Sequence, residues 1–268
     1  MLSSLLNRYT YDKLGNVTKI IAPMSLTTTY IYDKIGSIIT EAFSGGATTT
    51  LTYDSRDRVT SKVTKNSGGT KLAQEDYTYT NNSTGLLTTT TVPGDDNACT
   101  YTTSVQQDAL GRNVSETNRQ GGVTTYTYDM AGNVTKVVTP RVYGDYSITY
   151  TYDHAGNVLS ETETGLMAEE ELKQTTINRY YEYDMLGRLK SSTDGKGKKT
   201  NYTYWGGMDW VKEIKTPFSG TTTGKTTYEY DILGNVTKES VSTGTNTTRD
   251  IKYEYDALNR VTKSTLIS

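Results

Sequence analysis

The chain has 268 residues and a formal charge of −2, from 28 Lys and Arg against 30 Asp and Glu. It therefore has no basic field for nucleic acid, and its single cysteine, Cys99, excludes a disulfide-built scaffold. Leu, Ile, Val and Phe fill only 48 positions, a share at which disorder becomes a serious reading, yet disorder also needs high net charge, and 23 tyrosines supply large surfaces worth burying.

What remains is a folding chain rich in Tyr, Thr, Val and Ile, a β-prone set interrupted by only 4 prolines. The opening MLSSLLNRYT has no basic start, long apolar run or small-residue cleavage site, so no signal peptide is expected. No stretch of about 18 apolar residues that could cross a bilayer as a helix occurs anywhere.

From Tyr9 onward one pattern recurs. YTYDKLGNVTK carries Tyr9, Tyr11, Asp12 and Gly15, and YIYDKIGSII carries Tyr30, Tyr32, Asp33 and Gly36. LTYDSRDRVT follows with Tyr53 and Asp54. Two weaker copies come next, YTYTNNSTGLL near 77–92 with Thr80 in the aspartate's place, and VQQDALGRNV within 101–118 around Asp108. YTYDMAGNVTK then brings Tyr126, Tyr128, Asp129 and Gly132, YTYDHAGNVL brings Tyr150, Tyr152, Asp153 and Gly156, and YEYDMLGRLK brings Tyr181, Tyr183, Asp184 and Gly187. A third degenerate copy, YTYWGGMDWV within 202–215, puts Trp205 where the aspartate should be. YEYDILGNVTK supplies Tyr228, Tyr230, Asp231 and Gly234, and YEYDALNRVT supplies Tyr253, Tyr255, Asp256 and Asn259. Eleven units spaced by 21 to 31 residues are the signature of a single repeat array over residues 1–268.

Each unit reads as a β-hairpin. Two tyrosines two apart share one face of a strand, and the V-T-K after the turn alternates again. An Asp at the first turn position can accept a backbone N–H from two residues on, and Gly then takes a left-handed conformation, giving a type I turn with a bulge. Asp57 and Asn259 stand where Gly is missing, and Asn and Asp tolerate that geometry best. Gly-rich stretches such as NSGGTK and RQGGVTT close each unit onto the next. The expectation is an all-β antiparallel meander of about 22 strands that coils as a curved β-strip, because an open sheet that long accumulates twist. Tyrosines in register are expected to stack from unit to unit as aromatic ladders. GLMAEEELKQ, at 165–174, reads as a hairpin extension or brief helical turn.

The pattern Y-x-Y-D-x-x-G-N/R-V/L-T, best seen from Tyr9, Tyr126, Tyr150, Tyr181, Tyr228 and Tyr253, resembles the tyrosine-aspartate (YD) repeat of the rearrangement hotspot (RHS) family. That family includes bacterial polymorphic toxins, wall-associated proteins, B and C components of insecticidal toxin complexes, and teneurins. The resemblance implies a β-strip wrapped into a hollow shell, in many members around a toxin domain, and an extracellular or cell-surface location. Shell-forming members carry a D-P-x-G self-cleavage element; Pro23, Pro93, Pro140 and Pro217 all lack a preceding Asp, so no such site is carried over. The sequence accordingly reads as a piece of such a shell or a short repeat protein.

Chemistry is sparse. His154, the single histidine, sits in a turn where other copies carry Leu, Ile or Ala, and a Cys99–His154 pairing has no motif behind it. One carboxylate per D-x-x-G tip falls short of a calcium loop, so turn capping explains the aspartates; no metal or cofactor is expected. The sequons at Asn16, Asn133 and Asn235 are the hairpin repeat itself. Trp205 and Trp210, in the odd unit, are the candidate ligand contacts, with a glycan as the candidate ligand. The reading is a non-catalytic structural module of a secreted or surface protein, partnered by neighbouring repeats or an enclosed effector domain. A carbohydrate-binding or adhesion module is the alternative, and self-association through edge strands is expected of either.

Overall fold

The hairpin reading is realised strand after strand, with period-two alternation of exposure clearest in Val123–Tyr128 and Lys199–Tyr204. The computed structural model describes residues 7–93, 100–142, 144–166, 174–219 and 222–267. Within them 22 strands of four to eleven residues follow one another, broken by a three-residue 3-10 turn at Pro23–Ser25. The chain forms two compact units, Met1–Thr124 and Thr125–Ser268. In the first, strands from Arg8–Tyr11 to Asn113–Thr117 each pair antiparallel with the next. In the second, the same meander runs from Val123–Tyr128 to Val261–Leu266.

The Y-x-Y spacing sets the faces. Tyr30 and Tyr32 are half-buried, whereas Ile31 between them is 56% exposed. Among the described residues no hydrophobic side chain is fully buried. Each unit is thus a single layer of sheet, held by contacts between neighbouring strands rather than by a core.

Hairpin register carries a second regularity. In the first hairpin Thr10 faces Lys19 and Tyr11 faces Val17, so Thr18 is skipped in a β-bulge. The same shift recurs in the hairpins of Asp33, Asp54, Asp108, Asp129, Asp153, Asp184, Trp205, Asp231 and Asp256. The hairpin Lys71–Asn81/Leu86–Pro93 pairs straight through to Asn81 opposite Leu86. There the alignment of Thr80 with the tip aspartates needs correction. Thr80 lies inside the strand opposite Leu87, and the tip forms two residues later, where Asn82 Oδ1 accepts the N–H groups of Thr84 (2.9 Å) and Gly85 (3.0 Å). Of the 165–174 segment, Gly165 pairs with Thr175 and Leu166 with Gln174, as a hairpin extension requires; the stretch between lies outside the described residues.

The turn chemistry is as the sequence specifies. Gly132 adopts φ 92°, and Asp57 and Asn259, which replace Gly elsewhere, adopt φ 60° and 59°. A Cβ on Gly132 meets nothing within 4 Å, so any penalty for a side chain there is backbone strain alone. Gly132→Val should cost about 2 kcal/mol and Gly132→Asn about half of that, since Asn tolerates the left-handed region better than a β-branched residue does. Urea midpoints of the two variants check this, and equal losses would refute it.

Candidate functional site

Three local arrangements bring polar or aromatic groups together. The first is the tip. Asp12 Oδ1 accepts the backbone N–H groups of Leu14 (2.8 Å) and Asn16 (2.9 Å), while Oδ2 accepts Asn16 Nδ2 (2.9 Å). Where Arg follows the turn Gly or its substitute, it takes over the Asn role: Arg58 Nε and Arg188 Nε donate to Oδ2 of Asp54 (2.8 Å) and Asp184 (2.7 Å). Bonds from the residue four positions on hold the carboxyls of Asp12, Asp129, Asp153 and Asp231 below the usual range, and the Arg58 guanidinium takes Asp54 down to about 2. Both carboxylate oxygens are committed to the turn.

The second arrangement joins hairpins. Pairing between the first two stops at Lys19 opposite Thr29, and the Val17 carbonyl lies beyond it. Tyr32, three residues past Thr29, donates its phenol O–H to that carbonyl at 2.7 Å. The same link runs from Tyr53 to Ile38 (2.7 Å), Tyr79 to Val59 (2.8 Å) and Tyr152 to Val134 (2.6 Å). It recurs from Tyr204 to Leu189 (2.8 Å), Tyr230 to Val211 (2.9 Å) and Tyr255 to Val236 (2.8 Å). The hydroxyl thus supplies the donor that the ended ladder does not. After the unbulged hairpin the rule lapses as it should: Gln107 stands in the tyrosine's place, and pairing runs on to Leu87 opposite Gln106.

The third arrangement is the odd tip, Trp205 to Trp210. Its turn is one residue longer, closing from Trp205 N to the Trp210 carbonyl at 2.9 Å. With no Asp to cap it, the turn is held from the preceding hairpin: Arg188 donates to the carbonyls of Gly206 (3.1 Å) and Met208 (2.5 Å). Trp205 Nε1 donates to the Tyr228 carbonyl (3.2 Å), Lys212 Nζ lies 4.5 Å from the Trp205 ring centre, and Trp210 stacks on Tyr230 with centres 5.3 Å apart. Trp205, Met208, Trp210, Glu229 and Tyr230 line an open depression of about 420 Å³.

A family model described as Teneurin YD-shell matches residues 2–124, and one described as RHS Repeat matches 108–141. Together they reach across residues 2–141, the stretch in which both the tips and the tyrosine links are already established. The chain belongs to the RHS/YD-repeat family. No curated protein matches it. Among solved structures, a TcdB2–TccC3–Cdc42 complex is 18% identical with a TM-score of 0.39, over 95% of this chain and 17% of that one. A mutant Tc holotoxin pore of Photorhabdus luminescens is 16% identical with a TM-score of 0.37, over 98% of this chain and 19% of that one. A porin-like protein from Bacteroides uniformis is 14% identical with a TM-score of 0.28, over 89% and 92%. This YD-repeat chain therefore spans less than a fifth of the Tc chains it matches.

In this YD-repeat chain the signature residues fall into two structural roles, Asp and Gly at the tip and the second tyrosine at the link. Where the expectation was a ring-on-ring ladder, the contact that recurs from hairpin to hairpin is the hydroxyl link. Tyr150 and Tyr152 do meet, at 6.4 Å, but within one strand; between hairpins Trp210 stacks on Tyr230, and other rings meet cations, with Arg58 4.1 Å from the centre of Tyr79 and Arg188 4.5 Å from that of Tyr204. His154 occupies an exposed turn position, and Cys99 lies outside the described residues. Among the described residues no group of three or more His, Cys, Asp and Glu converges on a point, and no helix is long and apolar enough to cross a membrane, which says nothing of β-strands. Trp205 and Trp210 do share one depression. Sequence reasoning missed Met208 and Glu229 beside them, and it missed why Asn and Arg alternate after the turn Gly: both donate to the aspartate.

Proposed function

We propose that this chain is a wall segment, a non-catalytic stretch of YD-repeat sheet in a larger secreted or surface-displayed protein, forming part of a shell that encloses or presents a separate effector domain. The supporting observation is the tyrosine link. At seven junctions it joins a bulged hairpin to the next one, so the sheet grows by repeated steps without needing a core. Such a wall is economical for enclosing a volume, since one layer separates inside from outside. The two units then act as one array along 1–268, with further repeats continuing it at either edge. The neighbours named for Tc complexes are consistent with that role but belong to proteins several times longer.

The test uses the full-length parent protein. Its coding sequence is read on both sides of this segment, and the encoded downstream domain is then followed by limited proteolysis. Protection of that domain while the repeat sheet is intact, and its digestion once the sheet is cleaved, is the expected result. Digestion at the rate of the isolated domain would overturn the shell reading, and a parent with no further domain would leave an adhesion role to explain the fold.

A further inference from the structure

The Trp205–Trp210 tip breaks the local rule that the nine Asp-capped tips obey. Its capping Asp is gone, its turn is longer, and a neighbouring arginine has to hold its carbonyls. Violations of a local rule concentrate at functional sites, and this one assembles three aromatic rings, a thioether and one carboxylate from two hairpins round a ligand-sized depression.

The polar handles of the lining decide what it can hold. Trp205 Nε1 is spent on the Tyr228 carbonyl, and the Tyr230 hydroxyl is spent on the Val211 carbonyl. That leaves the Glu229 carboxylate as the lining's polar side chain with no hydrogen bond among the described residues. Glu229 is exposed, and its cross-strand partner Lys238, which also feels the Glu229 charge, has its ammonium 2.9 Å from Asp250, so the carboxylate makes no close ion pair of its own. A sugar ring brings several hydroxyls that such a lining cannot satisfy, and each one desolvated without a partner counts against binding. An alkylated ammonium asks for the opposite: aromatic faces, a soft apolar surface and one counter-charge, with no hydrogen bonds. Trp205 already holds a cation on one face, since Lys212 Nζ lies 4.5 Å from its ring centre.

From this juxtaposition we infer that the depression is a binding site for a quaternary or N-methylated ammonium group, with Trp205, Trp210 and Tyr230 as the cage and Glu229 as its counter-ion. The inference replaces the glycan assigned to these tryptophans from sequence, and it stands independently of whether the sheet encloses an effector.

Both tryptophans of the chain line this site, so indole fluorescence reports on it alone. The intact chain is titrated with choline chloride, with its uncharged isostere in which carbon replaces the nitrogen, and with methyl glucoside. Saturable millimolar binding of choline is expected, with the isostere weaker by about tenfold. Glu229→Gln should weaken choline by a similar factor while leaving isostere binding unchanged, and because Glu229 is exposed this variant keeps the fold. Trp205→Phe should retain part of the binding and Trp205→Ala should lose it, with circular dichroism confirming intact sheet. Equal affinity for choline and the isostere, preference for the glucoside, or no saturation by any probe up to about 100 mM would each overturn the assignment.

Discussion

Between about pH 4 and pH 2 the protein should lose a large part of its stability without any buried acid being involved. Nine turn aspartates, Asp12, Asp54, Asp108, Asp129, Asp153, Asp184, Asp194, Asp231 and Asp256, have carboxyls held below their usual range. In each the leading cause is a hydrogen bond from the residue four positions on. A group whose pKa is depressed by folding contributes stability that is present above its unfolded value, near 3.8, and is lost as the pH falls through its folded value, about 2 for Asp54. Each contribution is screened because the tips are solvated, but nine shifts of the same sign add along the array. The decisive variant replaces Asp129, Asp153, Asp184, Asp194, Asp231 and Asp256 by Asn. Asn keeps the oxygen that accepts the backbone N–H groups, as Asn66 and Asn118 already do in two closing turns, where their Oδ1 atoms sit 2.9 to 3.0 Å from the donors. It cannot titrate, so melting temperatures of this variant should fall much less between pH 4 and pH 2 than those of the parent. A parent whose melting temperature is flat over that range, or a variant that falls equally, would remove the tips from the account of acid stability.

The tip was legible in sequence because all of its chemistry is local. Asp12, Gly15 and the substitutes Asp57 and Asn259 announce a turn type within five residues, and the same spacing repeated in nine of the eleven units marks the array. The link between hairpins was not legible, because its acceptor is a backbone carbonyl some 15 to 20 positions earlier, and a carbonyl has no letter. The tyrosine was visible; the reason for its hydroxyl was not, and ring stacking was the available explanation for an aromatic at fixed spacing. Thr80 was misplaced for a related reason. The copy was aligned on its tyrosines, whereas the tip is fixed by the residue that can cap it, Asn82. At the odd tip, the two tryptophans stood out as departures from the pattern, but Glu229 reaches the depression from the next hairpin and only folding reveals it.

Removing the link hydroxyls should cost more than any other conservative change to the second unit. Tyr204→Phe, Tyr230→Phe and Tyr255→Phe each keep the ring and delete one donor, leaving the carbonyl of Leu189, Val211 or Val236 to water. Each is worth about 1 kcal/mol, nearer the net value of a hydrogen bond than the full desolvation penalty, because Leu189, Val211 and Val236 lie in a single-layer sheet and are only half-buried. The three lie in successive hairpins with separate acceptors, so their effects should sum to about 3 kcal/mol in urea denaturation. Burial raises the phenol pKa of Tyr204 and Tyr230, which gives the alkaline counterpart. A group whose pKa is raised by folding contributes stability that is full below its unfolded value, near 10, and is lost as the pH rises through the folded one, since a phenolate has no proton to donate. The triple variant should therefore be less sensitive than the parent above about pH 10. Gln107→Tyr is the control: the ladder there already runs to Leu87 opposite Gln106, so an added hydroxyl finds no waiting carbonyl and should not stabilise. A triple variant within about 0.5 kcal/mol of the parent, or a gain from Gln107→Tyr, would show that the bulge and the tyrosine are not coupled and that the hairpins are joined by backbone pairing alone.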